Sequence, residues 1–279
     1  MTDDKTQPNT SPITYSGKEP EYYEKLVNGI RDFLHTRGFQ KAIIGLSGGI
    51  DSALVATLAS AALGNENVRG FSMPSPYSSQ HSKDDAKELA DTLHIAYQTI
   101  SIAPCFEKLK ETLRPVFQNA PEDLAEENMQ ARLRGIILMS ISNKQGGMVL
   151  TTGNKSEISV GYCTLYGDTC GGLAPISSLY KTEVYQLSYW INEQAGHPII
   201  PLSTLTKAPS AELRPNQTDQ DSLPPYDILD AILRLYVDQK MDKQAILTQG
   251  FDEKTVDRIV GLVERSAYKR SQLAPTILL

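Results

Sequence analysis

The stretch AIIGLSGGIDSALVATLA, residues 42–59, constrains this chain more than any other. An apolar run, read as a buried strand over 41–46, passes through Ser47-Gly48-Gly49-Ile50-Asp51-Ser52 into an alanine-rich helical run over 50–63. In open α/β sheets, ligands bind at the carboxyl ends of strands, where such a turn lies. The helix start supplies unpaired backbone N–H groups and about half a positive charge. Gly48 and Gly49 have no Cβ, so the backbone can approach an anion and adopt positive φ; Ser47 and Ser52 add hydroxyls. A Walker loop would carry a lysine here. Asp51 stands in the turn instead, and a carboxylate beside phosphate needs a divalent cation between them. Asp51 is therefore a candidate Mg²⁺ ligand.

Periodicity extends the picture. It predicts a helix over 21–38 stopped by Gly38, a strand over 68–74, a helix over 82–93 opened by Ser82, and a strand over 95–101. Helices over 103–114 and 122–143 and a strand over 147–153 follow. Strands alternating with helices argue for an α/β fold, a doubly wound parallel sheet with helices on both faces. Beyond 153 the chain changes character. Residues 161–175 are glycine-rich and irregular, 181–195 are helical, and 201–225 form a long polar loop with several prolines. Loops of that length tend to be functional or disordered. Helices over 226–237, 242–249 and 253–267 close the chain. Residues 1–18 read as a flexible leader and 19–279 as a single domain.

Composition excludes several classes. With a net charge of −6, no overall basic field recruits nucleic acid or a membrane surface. Three cysteines without CxxC spacing argue against a disulfide framework, and four scattered histidines show no metal-ligand pattern. No segment reaches the roughly 18 apolar residues of a membrane helix, and the polar N-terminus lacks a secretion profile. The expected location is cytoplasmic.

Other residues join the turn by position. Asn128, Arg132 and Gly135 are spaced i, i+4, i+7, one face of the helix over 122–143. Thr152 and Glu157 follow the strand over 147–153, at the same sheet edge as Asp51, and Glu157 is a candidate second carboxylate on Mg²⁺.

The segment SGGIDS resembles the pyrophosphate-binding loop of the N-type ATP pyrophosphatases, which adenylate a substrate and release pyrophosphate. That loop alone admits other amidating or thiolating members, or a non-catalytic nucleotide sensor. With ENMQARLRG (127–135), LTTGNKSEISVGYCTLYGDTCGG (150–172), KAPSAELRPNQTDQDSLPPYDILDAIL (207–233) and AYKRSQLAP (267–275), the chain resembles NAD synthetase over about residues 20–275. The wording is most similar to the synthetase half of glutamine-dependent members.

The resemblance implies a Rossmann-like sheet of the adenine nucleotide alpha hydrolase-like type. It implies ATP- and Mg²⁺-dependent amidation of deamido-NAD to NAD through an acyl-adenylate, in a homodimer. It implies ATP contacts from Gly45, Leu46, Ser47, Gly48, Gly49, Ile50, Asp51, Ser52, Met73, Thr152, Lys181 and Ser210. Deamido-NAD would meet Asn128, Arg132, Glu157, Asp168 and Lys269, with Asp168 near the ammonia pocket and Asp51, Asp168 and Lys181 catalytic. The glutamine-dependent relatives carry an upstream glutaminase. Only 46 residues precede Ser47 here, so free ammonia, or ammonia from a separate glutaminase, is expected.

Overall fold

A computed structural model describes residues 14–279. The leader expected over 1–18 falls outside the described residues as far as residue 13. Its last part is exposed yet tied down: Gln186 Nε2 donates to the Thr14 carbonyl at 2.6 Å, and Ser16 N donates to Glu19 at 2.7 Å.

α1 (Glu19–His35) leads into β1 (Ala42–Gly45), α2 (Ile50–Leu63) and β2 (Val68–Ser72). α3 (Gln80–Thr92), β3 (Ala96–Thr99), α4 (Ala103–Phe117), α5 (Leu124–Gln145) and β4 (Met148–Leu150) complete the alternating part. All four strands are parallel, in the order β3-β2-β1-β4. From β1 the chain steps outward to β2 and β3, then crosses back to place β4 on the other side of β1. The order reverses between β1 and β4, the switch point where open sheets bind ligands.

Alternation along the strands divides the interior. Ile43, Phe71 and Val149 point to one face and pack with Met73, Ile102 and Leu138, under α4 and α5. Ala42, Ile44, Val68 and Leu150 point to the other, among residues of α1, α2 and α3. Helices thus cover both faces, as the pattern of elements requires.

Several boundaries differ from the sequence reading, α1 among them, which ends at His35 rather than at Gly38, and two of them have a cap as the local reason. α3 is capped by Ser79, whose Oγ accepts from Ser82 N at 3.1 Å, so Ser82 lies inside the first turn. α5 starts at Leu124 behind a capping box of Asp123 and Glu126.

After β4 come α6 (Lys155–Val160), which periodicity did not reveal, and α7 (Lys181–Ala195), which also joins the α1 and α2 layer. The long loop contains α8 (Leu202–Thr206) and a 3₁₀ turn at Asp219–Asp221. α9 (Tyr226–Leu233) runs on into a π-helical turn at Arg234–Asp238. α10 (Lys243–Leu247), α11 (Glu253–Arg265) and α12 (Ala267–Arg270) follow. α6, α9, α10 and α11 share a second apolar cluster around Tyr180, Leu229, Ile246 and Ile259. No helix among the described residues is long and apolar enough to cross a membrane.

Candidate active site

The carboxyl ends of β1 and β4 open into a cavity of about 300 Å³. One wall is the turn after β1. Gly49 is the N-cap of α2 and offers no side chain to the helix start, which leaves that end free for an anion. Ser47 Oγ accepts from Gly49 N at 3.1 Å, and Ser52 Oγ donates to Gly49 O at 2.9 Å, so the serines shape the turn from within. The two glycines differ. Gly48 has φ +81°, and a Cβ there would lie 2.1 Å from the Ser82 carbonyl oxygen. Gly49 has φ −81°. Either glycine could adopt positive φ; only Gly48 does, and the backbone of α3 leaves no room for a Cβ there. Gly45, Leu46, Ser47, Gly49, Ile50, Asp51 and Ser52 line the cavity, whereas Gly48 faces α3.

The opposing wall follows β4 and holds the charged center. Lys181 Nζ lies 2.5 Å from Asp51 Oδ2 and 3.0 Å from Glu157 Oε1, with the lysine side chain only 3% exposed. Burial works against the ammonium, but the two acids hold its pKa well above the ordinary lysine value. Burial raises the Glu157 carboxyl in turn. Asp219 adds a third buried acid, accepting from Tyr226 OH at 2.7 Å and Tyr162 OH at 3.3 Å.

Asn154 was not foreseen and organises this center. Its Oδ1 accepts from Glu157 N at 3.0 Å, capping α6, and its Nδ2 donates to Asp51 Oδ1 at 2.8 Å. The signal was present in Asn154-Lys155-Ser156-Glu157: a capping residue three positions before an acid.

The acid pair suits Mg²⁺. Asp51 and Glu157 converge on one point, the Lys181 ammonium, and both offer hard oxygen donors. Among the described residues no three acids, histidines or cysteines gather as a complete metal cage. Mg²⁺ typically takes one or two carboxylates and completes its shell with water and phosphate.

A third wall is the glycine-rich loop. Asp168 stands on this loop, an exposed residue whose Oδ1 nonetheless accepts from Thr164 N at 2.7 Å. Desolvation pushes its carboxyl up to about 6, against backbone N–H groups and Lys269 that pull it down. Cys163 also lines the cavity, but burial pushes its thiol up to about 12, which makes it a poor nucleophile. Met73, Thr152 and Ser210 line the cavity as well. Ser210 Oγ donates to Gln217 O at 2.6 Å and so also braces its own loop.

Asn128, Arg132 and Lys269 do not line the cavity. All three hold the glycine-rich loop from behind. Asn128 Oδ1 accepts from Thr164 Oγ1 at 2.6 Å, and Arg132 Nε donates to Leu165 O at 3.3 Å. Lys269 Nζ donates to Gly161 O at 2.8 Å and to Cys163 O at 2.6 Å. The arginine that does line the cavity is Arg134, two residues further along α5.

The chain is similar to known proteins along most of its length. The model of the family described as NAD synthase matches residues 22–273. A glutamine-dependent NAD(+) synthetase of Synechocystis is 54% identical over 255 residues, which is 91% of this chain and 45% of that protein. The chain thus spans about half the length of the curated relatives it matches. The solved glutamine-dependent NAD+ synthetase of Acinetobacter baumannii, in complex with ADP, is 42% identical with a TM-score of 0.68. That match covers 95% of this chain and 47% of the solved one. NMN synthetase of Francisella tularensis is 32% identical with a TM-score of 0.77, covering 90% of this chain and 95% of its own.

Proposed function

The chain belongs to the NAD synthase family, and from that premise we propose that it amidates the nicotinate carboxylate of deamido-NAD at the expense of ATP. The observation that carries this reading is one cavity lined by an anion-binding turn, by the Asp51–Lys181–Glu157 cluster and by Asp168.

The chemistry runs in two steps. A carboxylate oxygen of deamido-NAD attacks the α-phosphorus of ATP; the bond to the bridging oxygen breaks, pyrophosphate leaves, and an acyl-adenylate forms. Ammonia then attacks the acyl carbon, AMP leaves with its electron pair, and the nitrogen gives up a proton. The first step joins two anions, so catalysis lies in charge neutralisation and alignment. The turn at Ser47–Ser52 would hold the phosphates through the start of α2. Lys181 would give its ammonium to the departing pyrophosphate. Asp51 and Glu157 would hold Mg²⁺, which when bound supplies charge neutralisation at the phosphates. Asp168, ionised above about pH 6, would accept the proton from ammonium or from the attacking nitrogen. The loops over 161–172 and 203–224 border the cavity and would keep water from the adenylate.

Ammonia is proposed as the nitrogen donor this chain uses directly, either free or released by a separate glutaminase. A homodimer is proposed on the family resemblance alone. A second reading replaces the dinucleotide with a mononucleotide acid; it is favoured by the likeness to NMN synthetase over nearly the whole of both chains. The nearer identity to NAD synthetases places the dinucleotide first.

The test supplies ATP, Mg²⁺ and ammonium chloride with either deamido-NAD or nicotinate mononucleotide, and follows AMP, pyrophosphate and the amidated product. Turnover of deamido-NAD at the higher kcat/KM is expected. A preference for the mononucleotide would establish the second reading, and nucleotide binding without pyrophosphate release would reject both. Glutamine in place of ammonium should leave the purified chain inactive.

A further inference from the structure

α5 turns Ala131, Arg134, Gly135 and Leu138 toward the cavity. Arg134 Nε donates to the Met73 carbonyl at 3.0 Å, just beyond the end of β2. Among the described residues its two Nη groups meet no acceptor, and no acid stands within ion-pair distance of it. Two lysines that line the cavity are ion-paired, Lys181 with Asp51 and Glu157 and Lys207 with Asp85 at 2.8 Å. Burial lowers the Arg134 guanidinium to about 10, with Glu212 and Asp168 opposing that fall from a distance. The group is therefore charged at neutral pH, half-buried on the cavity wall, with both Nη groups open to the cavity and without an acceptor among the described residues. Donors so placed are available to an anionic ligand.

The position is rigid. A Cβ at Gly135 would lie 2.7 Å from the Tyr166 carbonyl oxygen, and one at Gly167 would lie 2.8 Å from Ala131, so α5 sits directly against the glycine-rich loop. A Cβ at Gly45 would lie 3.2 Å from Met73 Cε and 3.4 Å from Leu138 Cδ1. The residue that pins Arg134 therefore packs on the root of the phosphate turn. Arg134, Gly45 at that root and Asp168 line one cavity, and the Asp168 charge acts on the guanidinium.

We propose that Arg134 is an oxyanion receptor at the reaction center, its free Nη donors binding two oxygens of one anionic group. The assignment rests on the proposed reaction for the identity of that group. It is either the α-phosphate of the nucleotide or the carboxylate of the acid substrate. Both present paired oxygens to a planar fork of donors.

Calorimetric titration separates the two sources without turnover. Arg134→Met is titrated with ADP, with deamido-NAD and with NAD, which differs from deamido-NAD by an amide in place of the carboxylate. A loss of tenfold or more in affinity, about 1.4 kcal/mol, is expected for one of the first two ligands. Loss confined to ADP identifies the phosphate. Loss for deamido-NAD with NAD unchanged identifies the carboxylate. Affinities all within about twofold of the native protein, in a folded variant, overturn the proposal. Arg134→Lys keeps the charge and stem but not the fork, and serves if the methionine variant fails to fold; native affinities there overturn it equally. Native protein that binds these ligands yet releases no pyrophosphate would reject the reaction while leaving the receptor assignment standing.

Discussion

Asn154 donates from Nδ2 to Asp51 Oδ1 at 2.8 Å, joining two residues 103 positions apart and coupling the turn after β1 to the segment after β4. The same side chain caps α6 through Glu157 N. One amide thus fixes the aim of both acids that converge on Lys181.

Asn154→Asp separates these two roles. An aspartate still caps α6, but it sets a second carboxylate against Asp51 where an amide donated. Activity should fall by about 10–100-fold, the usual cost of losing a partner that orients a metal-binding ligand. Thermal stability should fall less than in Asn154→Ala, which also forfeits a cap of about 1 kcal/mol. Steady-state rates and melting curves of the two variants check this.

Gly48→Ala should be far more damaging than Gly49→Ala. Gly48 combines φ +81° with a Cβ position 2.1 Å from Ser82 O, whereas a Cβ at Gly49 would come no closer than 3.2 Å to Ser47 Oγ. The left-handed backbone alone costs roughly 1–2 kcal/mol, and displacement of α3 adds to it. Denaturant unfolding should show a loss above about 2 kcal/mol for Gly48→Ala and a markedly smaller one for Gly49→Ala.

Asp168 trades stability for chemistry. Desolvation raises its carboxyl to about 6, above the value near 4 in an unfolded chain, so the ionised form weighs against folding at neutral pH. That cost is absent below about pH 4, where the group is protonated in both states, grows between about 4 and 6, and is complete above. Asp168→Asn should therefore be somewhat more stable than the native protein at pH 7.5, by well under the full linkage value because the residue is open to solvent. The gain should vanish toward pH 4, while amidation is strongly reduced. In the native protein, kcat/KM should decline as pH falls through about 6, because a protonated Asp168 no longer accepts a proton.

Much of the fold was legible because strand, turn and helix signals agreed locally. The run over 42–63 announces a strand, a turn and a helix, and the structure places β1 and α2 there. Asp51, Glu157 and Lys181 meet at the sheet edge where strand ends placed the first two and family resemblance placed the third. Rotation about a helix axis was not legible. Arg132 and Arg134 both lie on α5, and the i, i+4, i+7 spacing selects Asn128, Arg132 and Gly135 without revealing which side turns inward. The inward side follows from the packing of Gly135 against Tyr166 and of Ala131 against Gly167, a contact between α5 and a loop more than 30 residues away. Likewise Ser79 and Ser82 are equally good caps for α3 on paper, and the three-residue choice depends on where the preceding chain leaves β2.

The homodimer is proposed on the resemblance alone and is directly measurable. Light scattering should give about twice the 30.7 kDa chain mass. A monomer at micromolar concentration would withdraw the homodimer without touching the chemistry of a cavity built from one chain.

The central claim is that the acid attacks the α-phosphorus of a nucleotide held by the turn over Ser47–Ser52. Deamido-NAD labelled with ¹⁸O in both carboxylate oxygens tests it, with product AMP and NAD analysed by mass spectrometry. The account predicts one ¹⁸O in each AMP formed, one retained in each NAD amide, and none in pyrophosphate. Unlabelled AMP, or label appearing in pyrophosphate or inorganic phosphate, would contradict it.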